Sequence, residues 1–407
     1  MEETEVKESE QPESRGYPSR LWNRDYILCC AANFLSFFAF YILLPVLPLY
    51  LHEEMTATKS QIGVVLSLYA VACLLIRPFS GYVVDSYPRK MVLVLSFGAF
   101  ALVFGGYIVA GTIATFGIVR ALHGLTYGAV SVSNSTVAID VMPPAKRGSG
   151  IAYYGVANNL AMCIGPSVSM FMYQLGLSFI YIFVIALLAA LIGFVAVCRV
   201  FPPARDRVFR SQKISFDRFW LTKGWRQSIN LTFVAFAYGL MTTFLAIYGK
   251  EEIGLVNGSG TFFLMLAIGI IVSRIIASRN INNGRVTVNI IRGTAILTVG
   301  YSLFALWTQP AGYYLSGLVI GFGQGMFAPA YQTVFINLAP NSLRGTANST
   351  YLTSWDVGAA AGIFSGGFIV DGFGYQCAFL SCAFMAAIAL VLFLAVSGPH
   401  FNSAKLR

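Results

Sequence analysis

Apolar residues run along this chain in blocks too long for the core of a soluble domain. A helix rising 1.5 Å per residue needs about 20 apolar residues to cross the hydrocarbon of a bilayer. Twelve segments have that length: residues 26–51, 60–83, 90–110, 113–138, 149–173, 177–198, 228–249, 258–278, 286–307, 312–337, 346–370 and 376–396. The runs are continuous and dotted with small residues, whereas barrel strands are shorter and alternate strictly. Helices are therefore expected throughout, because in lipid each span must satisfy its own backbone groups. The pattern divides the chain into a polar tail (1–25), six spans (26–198), a basic linker (199–227), six more spans (228–396) and a short tail (397–407). The expected fold class is an all-α membrane protein of two six-helix bundles.

Composition adds one exclusion. Charged residues make up 11% of the chain and hydrophobic ones 57%, against roughly 25% charged in a soluble domain. A soluble enzyme is excluded as the default reading. The formal charge of +10 would suggest nucleic acid in a soluble protein, but its placement explains it otherwise. Arg89, Lys90, Lys146, Arg147, the linker basics from Arg199 to Arg226, Arg279, Arg285 and Arg344 all follow even-numbered spans. The opposite face receives only Lys59 and Lys250. Positive charge collects on the cytoplasmic side, so both termini are expected there, in a cell membrane (the inner one in a bacterium). The first apolar run is too long for a signal-peptide core. The linker reads as a connection made basic by the same rule, or else as an interfacial segment holding anionic membrane lipids. The seven Cys are scattered without a C-x-x-C pair, so no metal site or disulfide framework is expected. No phosphate-cradling G-x-x-x-x-G-K-[ST] run occurs, and no cofactor is implied.

The two blocks repeat each other. A shift of 197 residues without gaps pairs Asn33 with Asn230, Tyr41 with Tyr238, Gly63 with Gly260 and Arg77 with Arg274. It also pairs Gly124 and Gly128 with Gly321 and Gly325, the P-x-x-x-R-G run at Pro143 with that at Pro340, and Gly165 with Gly362. An even number of spans per half keeps both halves in the same orientation. A pseudo-twofold axis along the membrane normal follows, with a path where the halves meet.

Several short runs now carry a resemblance. GYVVDSYPRK after span 2 holds Gly81, Asp85, Arg89 and Lys90; RALHGLTYGA in span 4 holds Arg120 and Gly124; span 5 keeps Gly155, Gly165 and Pro166. From about residue 25 to 397 the chain resembles the major facilitator superfamily, in its twelve-span drug/proton antiporter-like branch. The resemblance implies a cytoplasmic gate in which Asp85 meets the start of span 11 and Arg89 helps close the inner end. Gly81 and Lys90 belong to the same motif. The chain departs from the pattern at Ser86 and Pro88, and His123 stands where that branch often has Gln. The Gly pair that follows in the span 5 motif is missing. The resemblance also implies that spans 1, 4, 7 and 10 line the path.

Charges placed in hydrocarbon mark function. Arg77 and Arg274 lie near the inner ends of spans 2 and 8, where each can snorkel or pair across a gate. Arg120 lies in the outer half of span 4, in reach of a substrate anion or a hydrogen-bond network. Asp356 stands about 16 Å along span 11 at 1.5 Å per residue, near the midplane. It is the only carboxylate in the middle of a span. Such a group either couples proton entry to substrate release by alternating between charged and neutral forms, or stays paired with an Arg as structural glue. His123 is a second candidate for proton coupling. Asn33, Phe37 and Tyr41 recur every fourth residue and share a helix face. With Asn230, Tyr238, Tyr127, Gln324, Tyr331, Asn158 and Asn159 they make an aromatic and amide lining, unless individual members are helix–helix hydrogen bonds.

Such a lining suits a small amphipathic or lipophilic organic solute. The expected function is a secondary active exporter, monomeric, exchanging that solute for protons by alternating access. A facilitator or proton-coupled uptake permease is the alternative. A non-transporting receptor or scaffold is the reading from another class. A membrane enzyme would need a nucleophile–base cluster at one depth, and no such cluster is apparent in the sequence.

Overall fold

Helix ends in this protein are set by local chemistry. In the computed structural model, residues 20–143, 146–202, 220–255, 258–282, 285–339 and 344–404 are described. The tail 1–19, most of the linker, the gate-motif side chain of Asp85 and the side chain of Asn159 lie outside the described residues. The chain forms α1 (Arg24–Leu43), α2 (Val46–Glu53), α3 (Lys59–Ser86), α4 (Arg89–Val109), α5 (Ile113–Asp140), α6 (Arg147–Gln174) and α7 (Phe179–Cys198). The second block forms α8 (Trp225–Glu251), α9 (Ser259–Asn282), α10 (Val286–Leu306), α11 (Pro310–Leu338), α12 (Arg344–Leu392) and α13 (Gly398–Ala404). Asn23 caps α1 by accepting from the Tyr26 amide at 2.9 Å. Thr58 with Gln61, and Thr112 with Thr115, close capping boxes on α3 and α5, each satisfying orphan amides. Pro45 lacks an amide proton and separates α1 from α2, so the first span is a broken rod.

Spans 11 and 12 lie within α12. Its one non-helical residue is Gly374, with φ 83° and ψ 170°, a conformation that favours glycine. The chain folds back there. Gly358 packs on the Thr232 carbonyl of α8. Asn230, one position pair earlier on α8, donates to the Ala389 carbonyl. One level of α8 thus meets α12 on both its outward and return arms. Among the described residues, nine helical stretches are long and apolar enough to cross a membrane, the last being Thr346–Ala404. Exposed Leu75, Phe79, Leu102, Val109, Ile275, Phe373, Phe384 and Val391 give the bundle an apolar outer surface, as lipid contact requires.

The repeat reappears as packing. A Cβ on Gly124 would come within 2.1 Å of the Tyr69 carbonyl oxygen, and one on Gly321 within 2.1 Å of the Leu266 carbonyl oxygen. Tyr69 and Leu266 are themselves 197 apart. Gly128 likewise rests on Ile76 and Cys73, and Gly325 on Ser273 and Ile270, the same two positions shifted by 197. The same correspondence holds between the halves. Gly63 of α3 packs on the backbone of α12, and Gly260 of α9 packs on Met170 and Gln174 of α6. Helix α3 therefore rests on α12 as α9 rests on α6. Small residues at these crossings bring backbones together where lipid supplies no hydrophobic drive.

Gly124→Ala or Gly321→Ala should therefore lower stability by about 1–3 kcal/mol, the usual cost of overpacking. Gly105→Ala, where a Cβ meets nothing within 4 Å, should cost nothing. Thermal unfolding of the detergent-solubilised protein measures the difference.

Candidate functional site

Away from the loops, an ion pair joins the two halves. Arg77 Nη1 of α3 lies 2.5 Å from Asp356 Oδ2 of α12, and both side chains are mostly buried. This contact brings together two residues that the sequence singled out separately. Aromatic rings flank the meeting surface. Tyr127 packs on Phe37 and Phe40, with centroids 5.6 and 5.4 Å apart, and Phe37 stacks on Tyr41. From the other half, Tyr238 packs on Trp355, centroid to centroid 5.4 Å. Trp355 precedes Asp356 and was not among the expected site residues. Its signal in the sequence was only that adjacency.

Other expected residues are engaged within their own half. Asn33 donates to Asn158 Oδ1 at 2.5 Å and to the Tyr154 carbonyl at 3.1 Å, joining α1 to α6. Asn230 donates to Ala389 and accepts from the Tyr331 hydroxyl at 2.5 Å, joining α8, α11 and the return arm of α12. Asn33, Asn230 and Tyr331 are buried. These are the helix–helix hydrogen bonds that the sequence left as the second possibility. Gln324 is buried, and its Oε1 has no hydrogen-bond partner among the described residues. Arg274 on α9 is half-buried.

Arg120 and His123 form a separate cluster inside the first half. The Tyr107 hydroxyl lies 2.8 Å from His123 Nδ1 and accepts from Arg120 at 3.4 Å. The guanidinium lies 4.5 Å from the Tyr69 ring centroid, within cation–π range. Phe40, Phe100 and Phe104 close around the imidazole, which is fully buried. His123 is thus enclosed by rings of its own bundle. In the gate motif, Arg89 pairs with Asp140 on α5, and Lys90 lies over the Phe201 ring. The first contact stays within the first half, and the second ties that half to the start of the linker. A Cβ on Gly81 would meet nothing within 4 Å.

A second set of contacts joins the halves at the end that carries the α2–α3 and α8–α9 loops. This is the end that the basic-residue pattern assigns to the outside, and it is called the outer end below. Lys250 and Tyr173 both donate to Glu53 Oε1, each at 2.7 Å. Glu251 receives Lys59 at 2.9 Å, His52 at 2.7 Å and the Tyr375 hydroxyl at 2.7 Å. Asp371 accepts from the Ser60 amide and hydroxyl, placing a carboxylate at the N-terminus of α3, where it is favoured. Sequence reasoning noted Lys59 and Lys250 as the sole basic residues of that face. It did not see that acids from the opposite half receive them.

Two helical bundles related by a repeat, joined by an ion pair inside the hydrocarbon, define a membrane transporter rather than an enzyme. Residues 29–363 and 290–405 match the family model of the Major Facilitator Superfamily, and the chain belongs to that family. It is 23% identical over 369 residues to the uncharacterized MFS-type transporter YhhS of Escherichia coli K12, covering 88% of this chain and 89% of the relative. It is 24% identical over 358 residues to the staphylopine export protein of Staphylococcus aureus Mu50, covering 84% and 88%. Among solved structures, a mutant of the peptide transporter POT in complex with alafosfalin shares the fold at TM-score 0.77 and 14% identity, covering 96% of this chain and 98% of that one. The transported species is accordingly a small solute.

The outer contacts are partly exposed, so each ion pair is worth little alone, about 0.2–1 kcal/mol. A double-mutant cycle on Glu53→Gln and Lys250→Gln should return a coupling in that range by thermal unfolding. Asp371→Asn, which also weakens the cap on α3, should cost more than either single change.

Proposed function

We propose that the protein is a secondary active exporter that moves a small amphipathic organic solute outward in exchange for protons. The observation that carries this reading is the Arg77–Asp356 contact between the halves. A buried pair is stable while both charges are present, and removing one leaves the other uncompensated at a cost of about 3–5 kcal/mol. Protonation of Asp356 removes the attraction to Arg77 and loosens α3 from α12. Deprotonation restores it. The contact then responds to which side supplies the proton, and α3 and α12 must slide past each other for the path to change sides.

The closed outer end suits a state that receives solute from the cytoplasmic side. The rings of Phe37, Tyr41, Tyr127, Tyr238 and Trp355 suit apolar parts of that solute. The printed activity of the staphylococcal relative is export. Each proton moving inward contributes about 2.3 kcal/mol per 100 mV of membrane potential. Both halves of the path lie in one chain, so the working unit is a monomer, in the cell membrane with both termini cytoplasmic. On the geometry above, the proton-coupling assignment rests on Asp356 rather than on His123.

Reconstituted vesicles with an imposed pH gradient test the proposal, using a panel of fluorescent amphipathic dyes. Asp356→Asn should abolish gradient-driven accumulation, lowering it at least about tenfold, the factor that 1.4 kcal/mol represents, while solute counterflow persists. Accumulation that survives in Asp356→Asn removes the coupling role. Gradient-driven movement in the opposite sense turns the exporter into a permease.

A further inference from the structure

One histidine stands among the outer contacts. His52 lies in the last turn of α2, in the first half. Its Nε2 is 2.7 Å from Glu251 Oε1, at the end of α8 in the second half. Its Nδ1 faces the Ala57 carbonyl oxygen at 3.5 Å. Both ring nitrogens thus look at acceptors. A neutral imidazole has one N–H and sets a lone pair against the other acceptor, whereas the imidazolium donates on both sides. The closed outer end therefore has the geometry of the charged ring. The other ionisable groups at this end come from every element packed on α2. Its own helix carries Glu53, followed by Glu54, and its Tyr50 turns to the Phe116, Phe179 and Phe183 rings. Helix α3 supplies Lys59, which also reaches Glu251. Helix α8 supplies Lys250 beside Glu251, with Glu252 next, and Lys250 shares Glu53 with Tyr173 of α6. Helix α12 brings Tyr375 to Glu251 and Asp371 to the start of α3. The charged residues of α1, Arg24 and Asp25, stand at its opposite end. Carboxylate and ammonium side chains ordinarily hold their charges between pH 5 and 8, and imidazole is the side chain that changes its charge there.

We infer that His52 is a proton site of the outer end, at which a proton from the outer solution adds an attraction between α2 and α8 and holds that end shut. This goes beyond the exchange mechanism above, since it uses neither Asp356 nor a proton that crosses the membrane. The sign follows from the contacts. With the ring charged, Glu251 receives two cations from the first half, Lys59 and His52. With the ring neutral, Lys59 alone opposes it, and one ring nitrogen turns a lone pair to an acceptor. Opening of the outer end parts His52 from Glu251, so the closed form binds the proton more tightly. A proton shifts the balance only by that difference in affinity. The added closure is present in acid and lost as the pH rises. Acid outside keeps the outer end closed, and alkali frees it. The His52 and Glu251 side chains are 29% and 32% exposed, so solution protons reach the ring from the outer face.

Purified full-length protein in detergent tests this. Spin labels on p-acetylphenylalanine at Leu177 and Thr308, exposed positions in outer loops of the two halves, report the separation across the outer end by pulsed electron resonance and leave the native cysteines alone. From about pH 5.5 to about pH 8, the long-distance population should rise about two- to fivefold, within what a partly exposed ion pair allows. His52→Gln should remove that rise, and His52→Lys should keep the short distance at both pH values. The rise should persist in Asp356→Asn. A wild type without a pH response, or a response that survives in His52→Gln, overturns the inference. A response that vanishes in Asp356→Asn while His52 is intact assigns it to the deep pair and overturns the inference as well. Should the labelled chain fail to fold, a double-mutant cycle on His52→Gln and Glu251→Gln decides, read by thermal unfolding at the same two pH values. The coupling should be larger at the lower pH, and equal coupling at both overturns the inference. Dye accumulation that survives in Asp356→Asn removes the exchange mechanism and leaves this inference standing.

Discussion

A carboxylate in hydrocarbon persists only while a cation or a proton answers it, and the Arg77–Asp356 contact is where this protein meets that constraint. The pair does more than neutralise two charges. Its members sit on different halves, so the electrostatic requirement of one residue becomes an attraction between α3 and α12. Within each half, glycine crossings such as Gly124 on Tyr69 and Gly321 on Leu266 bring helices into backbone contact and leave little room for internal rearrangement.

The outer end uses different physics for the same surface. Its ion pairs are partly hydrated, individually weak and numerous, and they involve loop-end residues from both halves. The deep pair is a single contact, and both of its side chains are mostly buried.

Much of this was legible in the residues. The twelve apolar segments coincide with helices or with arms of the folded-back α12, because length and hydropathy are what lipid demands. The repeat was legible because close helix crossings tolerate only glycine, and the same crossings occur twice. Arg77, Arg274 and Asp356 were legible as charges in apolar runs. Their pairing was not, since a sequence does not show which residues of distant helices share a level. The amides show the same limit. Asn33, Asn158, Asn230 and Tyr331 looked like path lining, but an amide on a helix face serves a solute or a neighbouring helix equally well. Only packing decides. His123 shows the same limit: its residue type invites a proton-carrying role, while the Phe100, Phe104 and Tyr107 rings that enclose it come from another helix.

The Glu53–Lys250 contact has a consequence for how such a chain could arise. The two residues are 197 apart, so each is the other's repeat mate, and they meet on the pseudo-axis itself. Two identical subunits meeting on a true twofold axis present a residue to its own copy, and equal charges there repel. An acid opposite a base on the axis is open only to lobes whose sequences differ at that position, as these do at Glu53 and Lys250.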